Sequence, residues 1–202
     1  MARTQSPDFE QRRIAIMEQA AELFAARGFL GASISDIAKA CDTSKSLLYH
    51  YYPSKEDMLF DVMHSHVETL LETALAVTAG PGSDADKLHC LTQEFMAHYV
   101  GAAARHKVLL NELGQLPPKR REIVIGIQRQ LVDIVAKLIS SIQPALGARS
   151  ALRFPAAMLF FGMINWTHIW MDAEGRASPE RIAELAVSIF MDGLRNAEIR
   201  KR

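Results

Sequence analysis

Residues 33 to 55 read Ser-Ile-Ser-Asp-Ile-Ala-Lys-Ala-Cys-Asp-Thr-Ser-Lys-Ser-Leu-Leu-Tyr-His-Tyr-Tyr-Pro-Ser-Lys. Ser33 and Asp36 have the S-x-x-D spacing of a capping box, in which hydroxyl and carboxylate satisfy each other's backbone N–H groups and start a helix. Ile34, Ile37, Ala38 and Cys41 then share one helical face. Asp42 stands where the chain must turn, and Asp is one of the few residues besides Gly that accepts a left-handed conformation. Thr43 or Ser44 can cap a second helix. With Leu48 facing inward, Ser46, Leu47, Tyr49 and His50 face outward, and Pro53 ends the helix. An outer face that is half apolar or aromatic, beside a tight turn, is the layout of a helix-turn-helix and points to DNA. Ser54 and Asp57 repeat the start signal, and Lys55 beside the free N–H groups of the next helix is placed to hold a phosphate.

The rest of the 202-residue chain carries helical periodicity and no strand signal. Helix one is expected from about Asp8 to Arg27, with Ile14, Met17, Ala21 and Phe24 inward and Gly28 as its C-terminal cap. A long helix should run from Lys55 to about Val77, followed by a Gly- and Pro-containing loop over 78 to 84. Leu88, Leu91, Phe95, Tyr99 and Ala102 mark an amphipathic helix, and a short one follows over about Lys107 to Leu113. Pro117 and Pro118 open the next, Gln143 and Pro144 close it, and two more span about Ser150 to Met171 and Ser178 to Ala197. The expected architecture is all-α, with about nine helices. Residues 1–54 form a three-helix DNA-binding domain, and residues 55–202 form a helical regulatory domain for ligand binding and dimerisation.

Composition restricts the function classes. The formal net charge is +0, and residues 1 to 60 carry seven Lys/Arg against eight Asp/Glu. A nucleic-acid binder with so little positive charge must rely on base contacts, a dimer and helix-terminus phosphate contacts. The stretch from Lys39 to Lys55 is locally basic, with three Lys and one acid, and Arg3 in the leader can reach a neighbouring groove. Cys41 and Cys90 lie on apolar faces and read as free core thiols of a reducing cytoplasm. Residues 1 to 13 are polar, so no signal peptide is expected, and the apolar stretch Phe154 to Met171 is interrupted by Pro155, Asn165, Thr167 and His168. The protein is expected to be soluble and cytoplasmic. His64 and His66 face different sides of a helix, no His/Cys/Asp/Glu cluster has ligand spacing, and no metal or cofactor is expected. No nucleophile with a base and no paired carboxylates argue for an enzyme.

Arg12-Arg13-Ile14, Ala20-Ala21-Glu22-Leu23-Phe24, Arg27-Gly28-Phe29, Ser33, Asp36-Ile37-Ala38, Ser44-Lys45, Leu48-Tyr49, Tyr51-Tyr52, Ser54-Lys55-Glu56 and Leu59 occur in order without a gap. This run closely resembles the DNA-binding domain of the TetR family of bacterial transcription regulators. It departs from the family pattern at Asp42 and Ser46, where Gly is usual, and at Leu47, where a small residue or Thr is common. Leu47 offers a thymine methyl only an apolar contact. The resemblance implies a repressor that binds a palindromic operator on double-stranded DNA as a homodimer. The candidate DNA contacts are Ser33, Ser35, Ser44, Lys45, Ser46, Leu47, Tyr49, His50, Tyr51 and Lys55.

The helix from Ser150 to Met171 has almost no polar face and needs cover on more than one side. With Ile182, Leu185, Ala186, Ile189, Phe190 and Leu194 of the last helix it can form a two-fold four-helix interface. Polar groups among apolar ones suggest an effector pocket, since a buried polar group needs a partner. The candidates are Phe95, His98, Tyr99, Asn111, Phe161, Met163, Asn165, Trp166 and His168. Residues 162 to 194 also resemble the C-terminal segment of TetR regulators that respond to acyl-CoA thioesters of fatty-acid or aromatic-acid breakdown. That resemblance implies release from the operator by a small hydrophobic effector, with an acyl-CoA as one candidate. Lys107, Lys119, Arg120, Arg121, Arg149, Arg153 and Arg176 are then candidates for its phosphates. The alternatives are control of multidrug efflux by uncharged or cationic hydrophobic drugs, and a ligand-independent DNA-binding adaptor.

Overall fold

The computed structural model describes residues 7–172 and 175–196. Its architecture is all-α, with ten α-helical segments and two short 3-10 turns among the described residues. They are α1 (Pro7–Gly31), α2 (Ile34–Ala40), α3 (Lys45–Tyr51), α4 (Lys55–Ala79), α5 (Asp84–Gly101), α6 (Ala103–Asn111), α7 (Pro118–Ile142), α8 (Arg153–Asn165), α9 (Thr167–Trp170) and α10 (Pro179–Asn196). The single turn α9 continues α8 past a break at Trp166, so that α8 and α9 together occupy the place of one expected helix. Arg3 and the expected end of the last helix at Ala197 lie outside the described residues.

Two compact units emerge, and their boundaries do not follow chain order. One gathers the chain up to His66 with Ala104–Val124; the other gathers Val67–Ala103 with the chain from Ile125. Both α4 and α7 contribute residues to each unit.

In the first unit, α1 is continuous to Arg27 and then breaks at Gly28, whose backbone angles of φ 72 and ψ 162 are essentially reserved for glycine. A Cβ there would also approach Glu112 Oε1 to 3.3 Å. Gly28→Ala is therefore expected to cost about 1–3 kcal/mol, read as a lowered urea midpoint with unchanged m-value. Ala20, Ala21, Phe24, Phe29, Ile37 and Leu48 are buried together, and Phe24 meets Phe29 at a ring separation of 5.5 Å. Ile14 departs from expectation: it is exposed, and its neighbour Ile16 enters the core instead. A polar knot closes the other end of this core. The Asp61 carboxylate takes both the Arg13 guanidinium and the Tyr52 hydroxyl, and Arg13 also pairs with Glu10 at 2.8 Å. The Glu10 hydrogen bond and Asp61 hold Arg13 charged, while burial and Asp61 push the Tyr52 phenol well above its usual range.

In the second unit, α10 packs against α5 and α8. Phe160 meets Phe190 edge-on at 5.4 Å, and Phe95 stacks on Phe161 at 6.1 Å. Gln143 Nε2 donates to the Leu194 carbonyl at 2.9 Å, tying the end of α7 to α10. The break between α8 and α9 has a local cause. The Thr167 hydroxyl bonds the Ile164 carbonyl at 2.6 Å and His168 Nδ1 bonds the Asn165 carbonyl at 2.7 Å, so side chains satisfy acceptors that the helix would otherwise bond with backbone N–H groups. Ser83 and Asp86 form a further capping box at the start of α5. Cys90 departs from the expected core thiol and is exposed; Cys41 is half-buried, and burial pushes its thiol up. No helix among the described residues is long and apolar enough to cross a membrane, and no group of three or more His, Cys, Asp or Glu among them is placed to hold a metal ion.

Candidate DNA interface and effector region

The α2–turn–α3 geometry follows from its caps. The Ser33 hydroxyl accepts from the Asp36 N–H at 3.1 Å and Asp36 accepts from the Ser33 N–H at 3.0 Å. These bonds hold the Asp36 carboxyl below its usual range, the Ser33 hydroxyl contributing most. At the other end, Thr43 N–H reaches the Ala38 carbonyl at 2.9 Å and Asp42 N–H reaches the Lys39 carbonyl at 3.2 Å. This pair of bonds is a Schellman motif, and it places Asp42 in the left-handed region with φ 47. Of the two capping candidates for α3, Ser44 does the work: its hydroxyl accepts from the Leu47 N–H at 3.1 Å.

Leu48, fully buried, pins α3 to the core. Helical geometry then presents Lys45, Ser46, Tyr49 and His50 to the outside, with Leu47 half-buried at the edge of that face. Ser33, Ser35 and Ser44 are exposed at the N-terminal ends of the two helices. Tyr51 is half-buried, because Phe9 of α1 stacks on it at 4.6 Å; His50 meets the same Phe9 edge-on at 5.8 Å. Phe9 thus braces α3. A lone aromatic in a polar leader was its only sign in the sequence.

Lys55, expected to hold a phosphate, is engaged within the protein. Its ammonium donates to the carbonyls of Phe29 at 2.8 Å and Ala32 at 3.0 Å, and lies 4.2 Å from the centre of the Phe29 ring. It satisfies acceptors left open after the Gly28 break, so Lys55 ties α4 to the end of α1.

The expected effector residues separate. Phe95, Tyr99 and Phe161 come together as a stacked row, with Phe95 and Tyr99 6.2 Å apart. Burial pushes the Tyr99 phenol well above its usual range. His98 is half-buried, with Nε2 2.9 Å from the Thr73 hydroxyl. Met163, Asn165 and His168 are half-buried near the α8–α9 break, and Asn165 Oδ1 is buried with no hydrogen-bond partner. Two residues stand apart from the others. Asn111 belongs to the first unit, where it is exposed and donates to the Lys107 carbonyl at 2.9 Å. Trp166 is 62% exposed, since it caps α8 at the break and points out of its unit's core. Two of the basic candidates are also engaged elsewhere: Arg120 pairs with Asp57, and Arg153 pairs with Asp133 at 3.1 Å.

Comparison with known proteins matches both parts of the chain. Residues 16–62 fit the family described as bacterial regulatory proteins, tetR family, and residues 81–194 fit the tetracyclin repressor-like C-terminal domain. The chain belongs to the TetR family. A TetR-family transcriptional regulator from Bordetella parapertussis 12822 is 40% identical in sequence, with 92% of this chain and 96% of that chain covered and a TM-score of 0.87. The repressor KstR2 of Rhodococcus jostii (strain RHA1) is 26% identical over 188 residues, 91% of each chain. The structure of AibR in complex with isovaleryl coenzyme A and operator DNA is 27% identical, covers 88% of this chain and 97% of that one, and has a TM-score of 0.78. This TetR-family protein is thus a DNA-binding transcriptional regulator of the repressor type and not an enzyme.

Proposed function

We propose that this TetR-family regulator reads a pseudo-palindromic operator as a homodimer and leaves it when a small hydrophobic effector binds the second unit. The exposed face of α3 carries the reading. Lys45, Ser46, Tyr49 and His50 stand clear of the core while Leu48 and the Ser44 cap fix the helix that bears them. Lys45 and His50 supply hydrogen bonds to base edges or phosphates, and Leu47 and Tyr49 supply apolar surface for a thymine methyl. A seven-residue helix reads few base pairs, so a second copy is needed to span two half-sites about 34 Å apart.

The second copy is met by the exposed apolar face of α8 and α9, which carries Met158, Leu159, Trp166, Ile169 and Trp170, with Leu185 and Ile189 exposed on α10. The effector is an acyl-CoA thioester. Support for that class comes from the likeness to AibR, which is described as bound to isovaleryl coenzyme A and operator DNA, and from the aromatic row Tyr99–Phe95–Phe161 with Asn165 Oδ1 awaiting a donor. Effector binding lowers operator affinity by the coupling free energy between the two sites.

The test is selection of duplexes from random DNA by the purified protein, followed by fluorescence anisotropy on the enriched duplex. Lys45→Ala and Tyr49→Ala should each weaken that duplex by about tenfold, the usual cost of one lost base contact. Isovaleryl-CoA and longer acyl-CoA thioesters are then titrated in. No enriched sequence sinks the operator reading, and an enriched duplex that no acyl-CoA releases sinks the effector class.

A further inference from the structure

The two matched stretches of sequence place residues 104–124 with the C-terminal part of the chain, yet in the fold these residues cluster with the DNA-reading unit. Four of them approach α1 and α4. Arg105 lies 3.4 Å from Glu18, His106 Nδ1 lies 3.2 Å from His66 Nε2 with both rings buried, and Glu112 lies beside Gly28. The fourth is Arg120, in the first turn of α7, which pairs with Asp57 in the first turn of α4.

Asp57 makes the Arg120 contact consequential, because its two carboxylate oxygens serve two masters. Oδ2 takes the Ser54 hydroxyl, and the Asp57 N–H returns to Ser54 Oγ at 3.0 Å, closing the cap of α4; Oδ1 takes Arg120. Only Tyr52 and Pro53 separate Ser54 from the last residue of α3. The Arg120 guanidinium also lies 5.5 Å from the Phe60 ring, and Phe60 stacks on His64 at 4.8 Å. The start of α7 is thereby keyed to the 57–60–64 ridge of α4, and both partners of the ion pair are more than half buried. A planar, forked guanidinium fits such a carboxylate-plus-ring site in a way that an ammonium does not.

We infer that Arg120 is a positioning residue for operator binding, acting through Asp57 and Ser54 to set the corner between α3 and α4. The inference rests on the operator reading proposed above. Arg120 contacts no base itself. It determines how the exposed face of α3 is presented, and residues 104–124 are a working part of the reading head.

The experiment uses the full chain, the duplex enriched by the parent protein and a scrambled duplex of the same length. Arg120→Gln and Asp57→Asn should each weaken the enriched duplex by about tenfold, as expected for members of one coupled network, and leave the scrambled duplex within about twofold. The double variant should be no worse than either single one, and Arg120→Lys should recover part of the loss. A merely structural ion pair would lower the active fraction and weaken both duplexes equally; that result overturns the inference, as do full affinity in Arg120→Gln or losses that multiply. If Arg120→Gln fails to fold by circular dichroism, Arg120→Lys decides alone: parental affinity overturns the inference and a selective loss supports it. A parent protein that enriches no duplex refutes the operator reading instead, so the two failures are distinguishable.

Discussion

Leu159→Glu is expected to leave the fold intact, convert the protein to a monomer and remove operator binding. Leu159 is 72% exposed in the isolated chain, so the substitution makes no demand on the chain's own core. Exposed positions of this kind usually shift stability by no more than about 0.5 kcal/mol. In a two-fold interface built on α8 and α10, the same residue meets its own symmetry mate or a close neighbour, and the new carboxylates are buried without partners. Losing the second reading head forfeits the effective concentration that links two half-sites, a factor of about 10² to 10⁴ in operator affinity. Light scattering at micromolar concentration, together with anisotropy on the enriched duplex, checks both halves. A parental mass for the variant, or a monomeric mass for the parent protein, would remove α8 and α10 as the dimer face.

Leu48→Ala should be the most damaging conservative change in the reading head. Leu48 is fully buried and is the only buried residue of the seven in α3, so it is that helix's one anchor in the core, beside the peripheral stack of Phe9 on Tyr51. Deleting three methylene-equivalents from a packed site costs about 2–5 kcal/mol, against a total stability for a domain of about 5–15 kcal/mol. The first unit should therefore lose its cooperative transition at a lower urea concentration, and amide exchange in α2 and α3 should accelerate more than in α5 and α10. Equal acceleration throughout the chain would instead mean that the two units unfold together.

Much of this fold was legible because its signals are local. A capping box needs only two residues three apart, and Ser33 with Asp36, and Ser54 with Asp57, both announce helix starts that the structure contains. Ser83 and Asp86 carry the same signal at the start of α5, directly after the Gly-Pro-Gly loop. The tight turn at Asp42 followed from what an Asp backbone tolerates. Burial was less legible. Periodicity put Ile14 inside with Met17, Ala21 and Phe24; the last three are buried, but near the start of α1 it is Ile16 and not Ile14 that enters the core. Side-chain function was least legible. Lys55 has the composition of a phosphate contact and the geometry of a tie to the Phe29 and Ala32 carbonyls, and no spacing rule foretells a partner 26 residues away.

The effector region shows the same division. Phe95 and Tyr99 face the core because they sit one helical turn apart on an amphipathic helix, and the sequence is enough to say so. That Phe161 completes their stack, that Thr73 meets His98, and that Asn111 belongs with the other unit depend on which helices pack together.

By itself, the sequence determined the helix-turn-helix, the all-α class and the family, because caps, turns and helical periodicity are set by interactions within a few residues of chain. The tertiary structure decided which side chains remain available. It bound Lys55 to backbone carbonyls, turned Trp166 outward at the α8–α9 break, and joined residues 104–124 to the reading head through Arg120 and Asp57. Those outcomes depend on contacts between residues dozens of positions apart, and such contacts exist only once the helices have packed.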